Sequence, residues 1–288
     1  MNRLPVGFRQ ELPDSTVFDT IKLINESSLN TVCQQAKCPN INKCFKASRV
    51  TFMILGNRCS RACRFCNVMK SEAGRIYHKD DSEPMRIAEF IMQTGLKYAV
   101  ITSVTRDDLA DGGASVFAQT IRQIHLFNQD TAVEALIPDL SGDINNIKIV
   151  VDAQPCVLAH NIETVSRLYP ALRPDSDYEL SLSVLKKIKL LNNGLLTKSS
   201  IMLGLGETKE EVRGCMRDLK NASCDILVLG QYLAPSCAHY PVQYFLKEDD
   251  FREYENMAKG LKFRSVISGP LVRSSYNAEK VYREVCNV

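Results

Sequence analysis

The sequence predicts an α/β fold: an open, partial (β/α)6 barrel, TIM-like in plan, with extensions at both ends. Three observations carry this. Six short apolar runs lie between residues 50 and 229, most of them separated by one helical pattern of ten or so residues. Strands alternating with helices in this way form a parallel sheet with the helices outside. Six units fall short of the eight that close a barrel. The residues after each run are polar or glycine-rich, which suits the carboxyl ends of strands, where α/β folds bind ligands. The resulting organisation is an N-terminal extension over residues 1–48, the barrel over 49–233 and a C-terminal extension over 234–288, all one structural unit.

In chain order, residues 1–32 hold two prolines and a weak helical pattern over Val17–Ser28, and read as a packing extension. Val50–Leu55 reads as a buried strand ending at Gly56. A polar loop, Lys70–Ser82, leads to a helix that opens at Glu83-Pro84, where proline suits the first turn, and closes at Gly95. Tyr98–Val104 is the second strand. Gly112-Gly113 opens a helix to Asn128, and Ala132–Ile137 is a strand stopped by Pro138. A helix over Asp143–Asp152, a strand over Pro155–Ala159 and a helical stretch over Ile162–Asn193, broken near Pro170 and Pro174, follow. The last barrel elements are a strand over Thr197–Leu203, a helix over Lys209–Asn221 and a strand over Asp225–Leu229 ending at Gly230. Beyond come a loop with Pro235 and Pro241, a helix near Glu248–Gly260, and a strand over Arg264–Ser268 leading into Gly269–Ala278.

Six of the eleven cysteines fall in two triplets around the first strand: Cys33-x4-Cys38-x5-Cys44 before it and Cys59-x3-Cys63-x2-Cys66 after it. Thiolates at such spacings hold iron–sulfur clusters. Three per group leaves one iron of a cubane open to an exogenous chelator or an unusual fourth ligand. Zinc wants four ligands at set spacings; only Cys63 and Cys66 make such a pair, and no histidine lies inside the stretch. A disulfide framework suits small secreted chains. The spacing favours clusters and leaves the other two readings standing. Cys156, Cys215, Cys224, Cys237 and Cys286 show no ligand spacing, although Cys237 lies in a loop near the predicted mouth. His160 and His239 read as hydrogen-bonded structural residues.

At 288 residues, with 45% apolar content, the chain can bury a sizeable core. A formal charge of +3 gives no argument for nucleic acid. No apolar run approaches a membrane span, and the start lacks a secretory h-region. A reducing compartment, the cytoplasm, is expected. Lys37, Lys43, Lys46, Arg49, Arg58, Arg61 and Arg64 make the cysteine region basic. They serve either to compensate cluster charge or to dock an acidic partner.

The second triplet, set just after a strand, resembles the signature of the radical S-adenosylmethionine enzymes. In that family the three cysteines hold a [4Fe–4S] cluster whose open iron is chelated by the amino and carboxylate groups of the methionine moiety. An electron from the cluster cleaves the sulfonium and gives a 5′-deoxyadenosyl radical. A closer resemblance covers almost the whole chain. The Cys33–Cys44 motif, Val100–Gly113, His160–Thr164, Gly204–Glu207, Gly230–Leu233 and Arg273-Ser-Ser-Tyr276 are similar, in order, to blocks of the lipoyl synthases.

That resemblance implies insertion of two sulfur atoms at C6 and C8 of an octanoyl chain held on a lysine of a lipoyl-carrier protein, either the glycine cleavage H protein or the lipoyl domain of a 2-oxoacid dehydrogenase E2 component. Two adenosyl radicals each remove one hydrogen, and an auxiliary [4Fe–4S] cluster is consumed as sulfur donor. An unactivated C–H bond offers no acidic proton, so a radical route is required. The resemblance makes Cys59, Cys63 and Cys66 the ligands of one cluster, and Cys33, Cys38, Cys44 and Ser275 those of the auxiliary one, which the two extensions would carry. It sets Thr102 and Ser103 beside the methionine moiety, Asn161 and Glu163 at the ribose, and Arg173 at the carboxylate. It implies a reductant such as ferredoxin or flavodoxin. Departures from the family pattern lie at Asn67–Arg75, Thr197–Ser200 and Leu158-Ala159. Two other readings compete: another radical reaction, methylthiolation or dehydrogenation, and a non-catalytic iron–sulfur carrier. The polar ring at six strand ends argues against the carrier.

Overall fold

The computed structural model describes residues 6–8, 10–72 and 78–287. They fall into two compact units, one of residues 10–62 and 67–158, the other of 6–8, 63–66 and 159–287.

The first unit opens with three helices, α1 (Ser15–Glu26), α2 (Val32–Gln35) and α3 (Ile41–Lys46). Asp14 caps α1 by accepting from the Val17 N–H, and Thr31 caps α2 by accepting from the Gln34 N–H. The sequence predicts α1 but not α2 or α3, because one turn and a half carries too few apolar repeats to register. Strand β1 (Thr51–Ile54) is buried at every residue, as a parallel strand covered on both faces must be. β2 (Arg58–Cys59) and β3 (Met69–Lys70) form a small parallel pair absent from the sequence reading.

Then α4 (Glu83–Thr94), β4 (Tyr98–Ser103), α5 (Ala114–Phe127), β5 (Ala132–Leu136), α6 (Ile144–Val151) and β6 (Val157–Ala159) alternate as expected. Strand order is β1-β4-β5-β6, with β4 parallel to both β1 and β5. Pro84 starts α4 and left-handed Gly95 ends it. The Glu83 carboxylate accepts the Leu55 N–H at 2.8 Å, fixing the bend that leads from β1 toward Cys59. A Cβ on Gly113 (φ +93°) would stand 2.3 Å from Leu55 Cδ1. Only glycine lets α5 start so close to that bend.

The second unit holds α7 (Tyr169–Leu172), α8 (Tyr178–Leu191), β7 (Leu196–Leu203), α9 (Lys209–Asn221), β8 (Ile226–Gln231), α10 (Glu248–Gly260), β9 (Ser265–Gly269) and α11 (Ala278–Cys286). Strand order is β7-β8-β9, all parallel. A Thr208–Glu211 capping box opens α9.

Three local expectations are corrected. β9, expected as a strand of the C-terminal extension outside the six-strand barrel, pairs in parallel with β8. Pro170 breaks no helix but sits in the first turn of α7, where its missing N–H costs nothing. Gly230 does not end β8, which runs on to Gln231. Residues 73–77 of the expected Lys70–Ser82 loop, and so the end of the Asn67–Arg75 departure, lie outside the described residues. Among the described residues no helix is long and apolar enough to cross a membrane.

Candidate active site

In the first unit, Cys33 lies on α2, Cys44 on α3 and Cys38 in the turn between them. The Cys38 N–H donates to the Cys33 carbonyl at 3.0 Å and the Ile41 N–H to the Cys38 carbonyl at 3.2 Å. This tight knuckle brings the three thiols within electrostatic reach of one another. Burial pushes the Cys33 thiol up to about 12, with Cys38 and Cys44 adding to it. Burial, then Cys38, pushes Cys44 up to about 11. Iron would displace these protons on binding. The donor set is all sulfur, as a cluster prefers.

All eleven cysteines are free thiols, so no disulfide joins either triplet. Among the described residues no three His, Cys, Asp or Glu side chains converge on a single ion, as a zinc site requires. A cubane gives each thiolate its own iron and holds them further apart.

Cys59 sits at the end of β2, and its Sγ accepts from the Thr105 N–H at 3.4 Å. The loop beside it is clamped from within. Arg61, 8% exposed, donates Nε and Nη2 to Asp107 at 3.1 and 2.8 Å and Nη2 to Asp139 at 2.8 Å, with Nη1 also on Asp139. Ser60 donates to the Asp107 carboxylate at 2.6 Å. Arg61 therefore leaves the basic docking patch, whereas Lys37, Lys43, Lys46 and Arg49 are exposed. The sequence reading missed Asp107 and Asp139 as partners of this loop. Both were visible as acids just beyond strand ends.

Thr102 and Ser103 end β4. The Thr102 hydroxyl donates to the Leu136 carbonyl at 3.0 Å across the sheet. The Ser103 Oγ is buried without a hydrogen-bond partner.

In the second unit, the Arg64 N–H donates to the Leu172 carbonyl at 2.9 Å, and the Arg64 carbonyl accepts from the Tyr240 N–H at 3.0 Å. These bonds hold the Cys63–Cys66 segment. The Arg173 guanidinium lies within electrostatic reach of the Cys63 thiol. Arg173 is 8% exposed, donates to the Asn161 and Ile162 carbonyls and the Tyr169 hydroxyl, and stacks on the Tyr169 ring at 5.1 Å. Its Nε has no partner.

Asn161 Nδ2 donates to Glu163 at 3.0 Å. Burial pushes the Glu163 carboxyl up, against the opposing pull of the Arg173 cation and the Asn161 amide. Glu163 also holds a left-handed φ of 66°, a strained conformation of the kind found at ligand sites. A buried polar atom without a partner costs about 1–3 kcal/mol. The Ser103 Oγ and Arg173 Nε are such atoms, and they fit a polar ligand.

The Glu207 carboxylate gathers the Gly204 and Leu205 N–H groups at 2.6 and 2.8 Å. A Cβ on Gly204 would stand 2.0 Å from Gln231 Nε2, so this glycine makes room for protein. Ser275 lies in the turn between β9 and α11. The neighbouring Ser274 hydroxyl donates to Asn161 Oδ1 at 3.1 Å. His239 Nδ1 shares a 2.8 Å hydrogen bond with Ser236, and Cys237 is exposed. The second unit thus gathers Cys63, Asn161, Glu163, Arg173 and Ser274 into one network, and the first gathers Cys33, Cys38 and Cys44.

Residues 53–219, more than half of the chain, match the family model of the Radical SAM superfamily. The chain is 51% identical over 267 residues to the lipoyl synthase of Caldicellulosiruptor saccharolyticus, covering 93% of each chain. The chain belongs to the lipoyl synthase family. It is also 48% identical to the lipoyl synthase of Aquifex aeolicus, covering 92% of this chain and 95% of that one. The same identity holds for that of Thermus thermophilus, with 97% and 87% covered. Among solved structures, HydG, a maturase of the [FeFe]-hydrogenase, aligns at a TM-score of 0.58 and 14% identity, covering 95% of this chain and 75% of that one. Methylornithine synthase aligns at 0.52 and 16%, covering 68% and 56%. These likenesses show the predicted α/β fold. As a lipoyl synthase family member the chain is an enzyme that uses S-adenosylmethionine and [4Fe–4S] clusters, and the non-catalytic carrier reading falls.

Proposed function

We propose that the chain inserts two sulfur atoms, at C6 and C8, into an octanoyl group carried on a lysine of a lipoyl-carrier protein. The observation that carries this reading is the pair of separate all-thiol triplets together with a serine-bearing turn, where a single-cluster radical enzyme needs one triplet. When bound, the clusters supply the electron for S-adenosylmethionine cleavage and the sulfur that is transferred.

The chain's residues do the holding and aiming. Cys59, Cys63 and Cys66 ligate one cluster; Cys33, Cys38, Cys44 and Ser275 ligate the auxiliary one. A serine oxygen is a poorer match for iron than a thiolate, so Ser275 would be the most loosely held of the four auxiliary ligands. Thr102 and Ser103 line the methionine moiety, with Ser103 the better supported because its hydroxyl is uncommitted. Asn161 and Glu163 take the ribose hydroxyls. Arg173 meets the carboxylate while fixing Cys63. Arg61 holds the Cys59 loop by its two ion pairs. Exposed Lys37, Lys43, Lys46 and Arg49 steer an acidic carrier, the glycine cleavage H protein or the lipoyl domain of a 2-oxoacid dehydrogenase E2 component. Ferredoxin or flavodoxin reduces the enzyme, in the cytoplasm, where thiols stay available to iron.

Anaerobic reaction of the reconstituted protein with an octanoyl-lysine peptide, S-adenosylmethionine and dithionite tests the reading. A dithiolated peptide and two 5′-deoxyadenosines per product are expected. A methylthiolated or desaturated peptide would assign a different radical reaction.

A further inference from the structure

The Arg273-Ser-Ser-Tyr276 turn is tied to the cofactor pocket through Ser274, a side chain that the ligand assignment leaves idle. Ser274 Oγ donates to Asn161 Oδ1 at 3.1 Å, bridging 113 residues of sequence. Asn161 in turn donates to Glu163 at 3.0 Å, and its carbonyl accepts from Arg173. Arg173 reaches Cys63. A continuous polar chain therefore runs from the residue beside Ser275, through both groups assigned to the ribose, to Arg173.

Backbone bonds close the turn. The Tyr276 N–H donates to the Arg273 carbonyl at 2.9 Å and the Ala278 N–H to the Ser275 carbonyl at 3.3 Å. The Ser274 side chain touches the pocket residue Asn161, and its donation leaves Asn161 Nδ2 oriented at Glu163. With an apolar residue at 274, Asn161 would lose the partner that fixes which way its amide faces, and the turn would lose its cross-link to the pocket.

We propose that Ser274 is a positioning residue that couples the S-adenosylmethionine pocket to the turn bearing Ser275, so that filling the pocket orders the Ser275 hydroxyl. This rests on the ligand assignments of the proposed function. The coupling is reciprocal, as any binding linkage must be: what loosens the turn weakens the pocket. A single hydrogen bond of ordinary strength changes affinity by roughly 3- to 10-fold.

Hydrogen–deuterium exchange over residues 270–278 of the reconstituted protein, with and without S-adenosylmethionine, tests the coupling alongside the affinity from equilibrium dialysis. In the unsubstituted protein the cofactor should slow exchange in this segment. Ser274→Ala should abolish that response and weaken binding by roughly 3- to 10-fold, while Ser274→Thr, which keeps the hydroxyl, should restore both. A merely structural role would not show this cofactor-dependent response. Binding without any slowing in the unsubstituted protein, or a full response in Ser274→Ala, overturns the coupling and leaves the proposed function intact. Absence of S-adenosylmethionine binding in the unsubstituted protein overturns both. If Ser274→Ala fails to fold, the response of Ser274→Thr decides: a threonine variant that binds normally but shows no slowing also overturns it.

Discussion

Gly230 and Val272 are packed so closely that a Cβ at residue 230 would stand 2.0 Å from the Val272 carbonyl oxygen. The entry to the Arg-Ser-Ser-Tyr turn thus rests directly on β8. Arg273 Nη1 donates to the same carbonyl at 2.8 Å. Gly230→Ala must push the turn off the sheet, at about 1–3 kcal/mol for forced overpacking. We expect lower thermal stability, and a loss of sulfur insertion larger than the loss of S-adenosylmethionine cleavage. Unfolding midpoints and separate assays of the two products check this.

Arg61 is buried between two carboxylates, and Asp139 is 1% exposed. Removing one partner of a buried pair costs about 3–5 kcal/mol, because the other charge stays uncompensated. Arg61→Ala should therefore unfold at much lower temperature and bind less iron. Lys37→Ala, at an exposed site, should stay within about 0.5 kcal/mol and alter only carrier association. Thermal unfolding of the reconstituted proteins, with association rates at two salt concentrations, separates the roles.

Glu163 gives a pH dependence of defined sign. Burial raises its native pKa above the ordinary 4.5. Accepting two ribose hydroxyls favours the ionised form, so binding expels a proton whenever the free carboxyl is protonated. Affinity for S-adenosylmethionine should fall as pH drops through the raised pKa and level off above it. Glu163→Gln should bind more weakly with a flat profile. Equilibrium dialysis across pH checks both.

Ser275 separates two activities. Ser275→Ala should keep reductive cleavage of S-adenosylmethionine near the unsubstituted rate while insertion falls by at least about tenfold, a loss of about 1.4 kcal/mol or more in transition-state stabilisation. Ser275→Cys should bind the auxiliary iron more tightly and release sulfur more slowly. Single-turnover assays reading 5′-deoxyadenosine and thiolated peptide together test the pair.

The alternation of strands and helices was legible because each βα unit carries its own apolar period and its own caps, as at Pro84 and Gly95. Helices α2 and α3 were not, being too short to show a period. The pairing of β9 was not either, because Ser265–Gly269 finds its partner only in three dimensions. In the site, the two cysteine triplets stand out in the sequence because each lies within one short segment. The sequence left Arg61 between compensating cluster charge and docking a partner, because its true partners are 46 and 78 residues away. Ser274 was unreadable for the same reason, and the burial of Arg173 depends on Tyr169, whose ring the sequence does not place over it.

The chain should hold two separate clusters, one on each triplet. Iron and sulfide analysis after anaerobic reconstitution, on the unsubstituted protein and on the Cys33→Ala, Cys38→Ala, Cys44→Ala triple variant, tests it most directly. The account predicts about eight irons per chain in the first and about four in the second. About four irons in both would contradict it.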